Sequence, residues 1–83
     1  MTDQEIRALI LRELQKIAPE VEAEQVDPAV DLREQIDLDS MDILNLMIAV
    51  HEATGVEIPE ADYAKMSTLD ACVSYLRSRI KAG

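Results

Sequence analysis

The chain has one cysteine, one histidine, two tyrosines and neither phenylalanine nor tryptophan. A single thiol, Cys72, leaves no partner for an internal disulfide. A single imidazole, His51, leaves any serine nucleophile only one histidine to serve as its base. Without phenylalanine or tryptophan, a composition that is 48% apolar has to build its core almost wholly from aliphatic and methionine side chains. No apolar run approaches the roughly 18 residues of a bilayer-spanning helix, and no secretory hydrophobic segment is seen, so a cytoplasmic protein without a membrane span is expected. Cations are scarce as well: 8 lysines and arginines stand against 17 acids, for a formal charge of -9. That balance disfavours nucleic acid and anionic membranes as partners and favours proteins with basic surfaces.

With 83 residues, a single domain spanning 1–83 is expected. At that size folding buries only about 60 to 65% of the unfolded chain's surface, too little to enclose a large active site. The acids are unevenly placed. Nine of the 17 (Glu20, Glu22, Glu24, Asp27, Asp31, Glu34, Asp37, Asp39 and Asp42) lie between Glu20 and Asp42, where Arg33 is the only base.

Thr2 and Glu5 have the spacing of a capping box, and Ile6, Leu9, Ile10, Leu14 and Ile17 recur at helical intervals, predicting a first helix over Asp3–Ile17. Pro19 stops it. A long polar connection follows to Leu38, with Val26, Val30, Leu32 and Ile36 as isolated apolar anchors. The second helix begins at Asp39 or Ser40, with Asp39 suited to the N-cap, and ends near Ala53 ahead of Gly55. Val56, Ile58 and Pro59 form an extended link, and Glu60–Met66 allow a turn or two of helix presenting Tyr63 and Met66. Ser67 and Asp70 repeat the capping-box spacing before a last helix whose apolar face is Leu69, Cys72, Val73, Leu76 and Ile80. Arg77, Arg79 and Lys81 suit its C-terminal dipole. No strand pattern appears, so the fold class is all-α: an irregular four-helix bundle with three longer helices, one short helix and a long first loop.

The chemistry concentrates in Ile36–Met47, IDLDSMDILNLM, where acids surround Ser40. His51 lies eleven residues further on. On one helix that is about 16 Å, so the two cannot form a dyad. His51 also lies away from the inward side of its helix and reads as a surface residue. A calcium loop beginning Asp37, Asp39 fails at its later positions, which fall on Met41, Asp42 and Ile48. No metal site and no catalytic residue is therefore expected. Two readings remain for Ser40: an ordinary first-turn residue, or a hydroxyl that another enzyme modifies. A phosphate ester at a helix start would be stabilised by unpaired backbone N–H groups and the helix dipole.

Asp39-Ser40-Met41-Asp42 resembles the mark of the acyl carrier protein family, Asp-Ser-Leu with a following acid at the start of the second of four helices. Val56-Glu57-Ile58-Pro59-Glu60 is similar to the family's segment after that helix, Met66-Ser67-Thr68-Leu69 to the start of its last helix, and Tyr75 falls where members often carry tyrosine. The similarity spans about Glu5 to Ile80. It implies that Ser40 receives a 4'-phosphopantetheine arm from coenzyme A through a phosphopantetheinyl transferase, in a magnesium-dependent step whose catalytic groups belong to the transferase. The arm's thiol would hold acyl groups as thioesters for acyl-loading and acyl-using enzymes with basic docking surfaces, the carrier itself acting as a monomer and not as an enzyme.

Under that resemblance Asp37, Asp39, Met41, Asp42, Asn45, Ile48 and Glu52 are the expected docking residues. Ile43, Leu46, Met47, Val50, Ile58, Tyr63, Met66, Leu69, Cys72 and Leu76 face inward as core or as an acyl-chain pocket. Three departures stand out: Asp37 where the family commonly has glycine, a mostly apolar or neutral stripe from Met41 to Glu52 where it has glutamates, and a long acidic first loop. They point to a specialised lipid or secondary-metabolite pathway. A peptidyl or aryl carrier working with an amino-acid-activating enzyme, and an unmodified acidic helical adaptor, are the alternative readings.

Overall fold

Thr2 begins the first helix as the spacing predicts. In the computed structural model, which describes residues 1–80, its hydroxyl accepts the Glu5 N–H at 3.1 Å while the Glu5 carboxylate accepts the Thr2 N–H at 2.9 Å. Two of the four N-terminal donors that a helix leaves open are thereby satisfied. The helix, α1, covers Asp3–Ile17. It buries Ile6, Leu9, Ile10 and Leu14 along one side, and it packs against the two other long helices.

The connection after Pro19 contains more structure than expected from sequence. A short 3-10 turn covers Ala23–Gln25, and a single α-turn, α2, covers Leu32–Gln35 behind an Asp31 N-cap. The connection is tied to the core, as its apolar anchors imply, and the tie explains the added turn. Leu32 is fully buried and its N–H reaches the Ser67 carbonyl at 2.8 Å, so the turn is held by a distant segment and not by its own propensity. The Asp70 N–H also bonds the Pro28 carbonyl at 3.0 Å, pinning the loop at a second point. Of the expected anchors, Leu32 is buried, while Val26, Val30 and Ile36 are half-buried.

Helix α3 covers Ser40–Thr54 and buries Leu46, Met47 and Val50. It ends on Gly55, whose φ of 74° is the left-handed conformation that glycine adopts most readily, and whose N–H bonds the His51 carbonyl at 2.7 Å. His51 is exposed, as read from the sequence, yet its ring has a local task. Nδ1 lies 2.7 Å from the Val56 carbonyl, an acceptor, so that nitrogen carries the proton and ties the link to the helix end.

Glu60–Met66 is a 3-10 segment with Met66 buried and Tyr63 half-buried. Helix α4 covers Leu69–Arg79. Its cap is Thr68, not the expected Ser67. Thr68 is extended at φ -116°, ψ 161° and accepts the Ala71 N–H, whereas Ser67 is already helical at φ -76°, ψ -24°. The α4 face is Leu69, Cys72, Val73, Tyr75 and Leu76, all buried, and Ile80 is half-buried just past the helix end. Arg77 and Arg79 do more than suit the dipole: Arg77 bridges to Asp3 at 2.8 Å, and the Arg79 guanidinium sits 3.7 Å from the Tyr75 ring centroid. Lys81 lies outside the described residues. Among the described residues there is no strand, and no helix is long and apolar enough to cross a membrane. The architecture is the expected irregular helical bundle, its core completed by Ala18, Leu32, Leu38 and Val56 from the connections.

Candidate functional site around Ser40

Asp39 is extended at φ -94°, ψ -179°, and its Oδ1 accepts the Asp42 N–H at 2.8 Å. The Asp42 Oδ2 returns the bond to the Asp39 N–H at 3.2 Å. This reciprocal box fixes where α3 starts and so fixes Ser40 as its first residue. Ser40 is exposed, and among the described residues its hydroxyl has no hydrogen-bond partner. A covalent group on Oγ would stand at a helix N-terminus, where the N–H groups the Asp39–Asp42 box leaves open and the helix dipole favour a phosphate link.

Asp42 is half-buried with one carboxylate oxygen turned into the box, while Asp37 and Asp39 are exposed. Electrostatically this region stands apart. The ion pairs lie on α1, Glu60–Met66 and α4: Arg7 with Asp70, Arg12 and Lys16 with Glu13, Lys65 and Arg79 with Asp62, Arg77 with Asp3. Among the described residues, none of the nine acids from Glu20 to Asp42 has such a partner. The negative field of the loop and the α3 start is left to solvent or to another molecule.

Along α3 the expected stripe is exposed: Met41 is 60% and Ile48 45% accessible, with Asn45 and Glu52 also on the surface. Leu44, 37% accessible, joins them and was missed from sequence. Its spacing of three from Met41 was the available signal. Met41, Leu44 and Ile48 thus form an apolar ridge leading away from Ser40.

Beside this ridge lie two clefts separated by Met47 and Tyr63. One, of about 460 Å³, is walled by Ile43, Leu46 and Met47 of α3 and by Tyr63, Ala64 and Met66 of the 3-10 segment, with Leu32 and Arg33 from α2. The second, of about 430 Å³, holds Ile58 with Ile48, His51 and Pro59. Six of the ten expected pocket residues therefore line open space. Val50, Leu69, Cys72 and Leu76 line neither cleft and are packed in the core, the other of the two expected places, because helical periodicity marks the inward side and not the place where packing stays open. Sequence reasoning did not find Arg33 or Ala64, which reach the first cleft from α2 and from the 3-10 segment.

The Glu60–Met66 wall is fastened to α4. Tyr75 donates a 2.7 Å hydrogen bond to Asp62, and this bond, with another from Lys65, holds the Asp62 carboxyl below its usual range. Cys72 donates to the Met66 carbonyl at 3.2 Å, and burial pushes its thiol up to about 12. It stays protonated at neutral pH and is no rival to an arm thiol. Among the described residues, no three His, Cys, Asp or Glu side chains converge to hold a metal ion.

The family model described as phosphopantetheine attachment site matches residues 4–76. An acyl carrier protein of Rubrobacter xylanophilus is 33% identical over 73 residues, covering 84% of this chain and 90% of that one. An acyl carrier protein of Thermosynechococcus vestitus is 31% identical over 62 residues, covering 75% and 76%. The solved structure of an acyl carrier protein from Enterococcus faecalis superposes with a TM-score of 0.74 at 25% identity, over 95% of this chain and 99% of that one. A capped helix start presenting a free hydroxyl, within a match that spans nearly the whole chain, leads to one conclusion: the chain belongs to the acyl carrier protein family, whose members are carriers and not enzymes and hold a covalent 4'-phosphopantetheine.

Proposed function

We propose that Ser40 is the attachment point and that the protein holds acyl groups as thioesters, delivering them to partner enzymes as a monomeric, single-domain carrier in the cytoplasm. The observation that carries this reading is the placement of Ser40: first residue of α3, exposed, its hydroxyl uncommitted among the described residues, with the backbone around it fixed by the Asp39–Asp42 box. When bound, the arm supplies a thiol that forms and releases thioesters. The chain's own residues hold and present it. Asp39 orients the helix start, and His51, about three turns further along α3, is too far to take the Oγ proton, which is left to the transferase.

The docking face on this reading is Asp37, Asp39, Met41, Asp42, Asn45, Ile48 and Glu52, with Leu44 added. Its middle is apolar, so partners that read a row of glutamates would find little to hold here. That supports a dedicated partner set in a specialised pathway. The cleft behind Ile43 and Tyr63 suits an aliphatic cargo, since Met47 and Met66 are adaptable linings and Ile43 and Leu46 are apolar.

The test is intact mass after incubation with coenzyme A, magnesium and a broad-specificity phosphopantetheinyl transferase, for wild type and Ser40→Ala. Gain of one arm by the wild type alone supports the reading. No gain in either, with unmodified protein also recovered from the native host, makes the acidic adaptor the better account.

A further inference from the structure

A third groove lies in the acidic connection, away from the clefts beside α3. Its volume is about 360 Å³, and its lining combines Val21, Val26 and Ile36 with Glu20, Glu22 and Asp37. The three aliphatic residues are half-buried against the core, while the three acids are exposed. The loop that forms it is held by side-chain amides. Gln35 Oε1 accepts the Asp27 N–H at 2.8 Å, and Gln35 Nε2 donates to the carbonyls of Asp27 and Val30 at 2.8 and 3.0 Å. Gln15 on α1 donates to the Val21 carbonyl at 3.1 Å. The groove is therefore preformed, which lowers the ordering cost of filling it.

We infer that this groove is a docking site for a cationic segment of a partner protein, taking a lysine or arginine with its aliphatic stem on Val21, Val26 and Ile36 and its charged end among Glu20, Glu22 and Asp37. Charge complementarity selects the occupant. The rim acids have no ion-pair partner among the described residues, and the surrounding field opposes anionic lipid and nucleic acid. The floor adds what a bare acidic surface lacks, because long basic side chains lay their methylenes on apolar ground while keeping the charge at the rim. Asp37 is three residues before Ser40, so one partner can occupy the groove and still reach the start of α3. Resting on the carrier reading, the groove extends the docking face past Asp37 into the loop, and its binding is measurable without the arm.

The experiment titrates the 15N-labelled chain, unmodified at Ser40, with a short peptide of alternating lysine and leucine at low ionic strength. Controls are the same peptide with its lysines acetylated, and a peptide of lysine alone. The largest amide shifts are expected at Val21–Val26 and Ile36–Asp37, vanishing with the acetylated peptide and smaller with lysine alone. Glu20→Gln/Glu22→Gln, which changes two exposed side chains, should weaken binding about fivefold while leaving the rest of the spectrum in place. Absence of binding, largest shifts over Met41–Glu52, equal effects from lysine alone, or undiminished affinity in the double variant would each overturn the proposal. None of these outcomes touches the Ser40 reading, which stands or falls on the mass of the modified chain.

Discussion

The Tyr75 hydroxyl donates to Asp62 Oδ2 at 2.7 Å, joining α4 to the 3-10 segment that walls the larger cleft. Arg79 lies over the same ring, and Arg79 and Lys65 both approach the same carboxylate. This wall of the cleft is thus tied to α4 by a buried phenol whose partner is thirteen residues away, alongside the Cys72 bond to the Met66 carbonyl.

Tyr75→Phe keeps the ring and removes only that donor. Its Tm at pH 7 should fall by about 5 °C, the effect of losing one hydrogen bond in a domain of this size. The pH dependence has a definite sign. The Asp62 carboxyl is held below its ordinary value first by the Tyr75 hydrogen bond and then by Lys65, so its contribution is fully present above the unfolded pKa of about 4 and fades as pH falls through the lower folded value. The gap between wild type and variant should therefore narrow below about pH 4. Thermal melts at pH 7 and pH 3 measure both effects; equal Tm values at pH 7 would show that the bond does not hold the wall.

Asp39 combines two tasks that substitution can separate. Asn keeps an oxygen that can accept the Asp42 N–H and is as good an N-cap as Asp, whereas Ala removes the acceptor and should cost about 1 kcal/mol. Asp39→Asn should then melt like the wild type, while Asp39→Ala melts lower. If the charge also guides docking, both variants lose about fivefold in transferase kcat/KM through slower encounter, more at low salt than at high salt. An Asn variant modified at the wild-type rate would confine Asp39 to capping.

What the sequence made legible was whatever a few neighbouring residues decide. Thr2 with Glu5 placed the start of α1, and Asp39 with Gly55 bracketed α3, because each cap bonds within four residues of itself. The misses share the opposite property. Helix α2 has four residues and stands because Leu32 bonds Ser67 across the fold. The same contact engages the carbonyl of Ser67, already in helical conformation, and leaves Thr68 to cap, a choice that two adjacent hydroxyls do not reveal. Ser40 was legible since its exposure follows from its place in the cap. The division of the inward residues between cleft and core was not, since it depends on where the link through Ile58 and the segment through Tyr63 stand off from α3.

The ridge of Met41, Leu44 and Ile48 gives the carrier reading its sharpest test, because substitution there can separate two recognition modes by sign. Ile48 is 45% exposed on α3, so Ile48→Glu should change folding stability by no more than about 0.5 kcal/mol. If partners bury the ridge, the variant loses the apolar contact and desolvates a charge. Transfer to the cognate acyl-using enzyme should then fall about tenfold in kcat/KM. If partners read negative charge along this helix instead, the added carboxylate should strengthen docking and raise kcat/KM, most at low ionic strength. Thioester transfer rates for wild type and variant, each loaded with the same arm and acyl group, distinguish the two. A fall insensitive to salt identifies Ile48 as a buried anchor, and a salt-dependent rise assigns recognition to the acids around it.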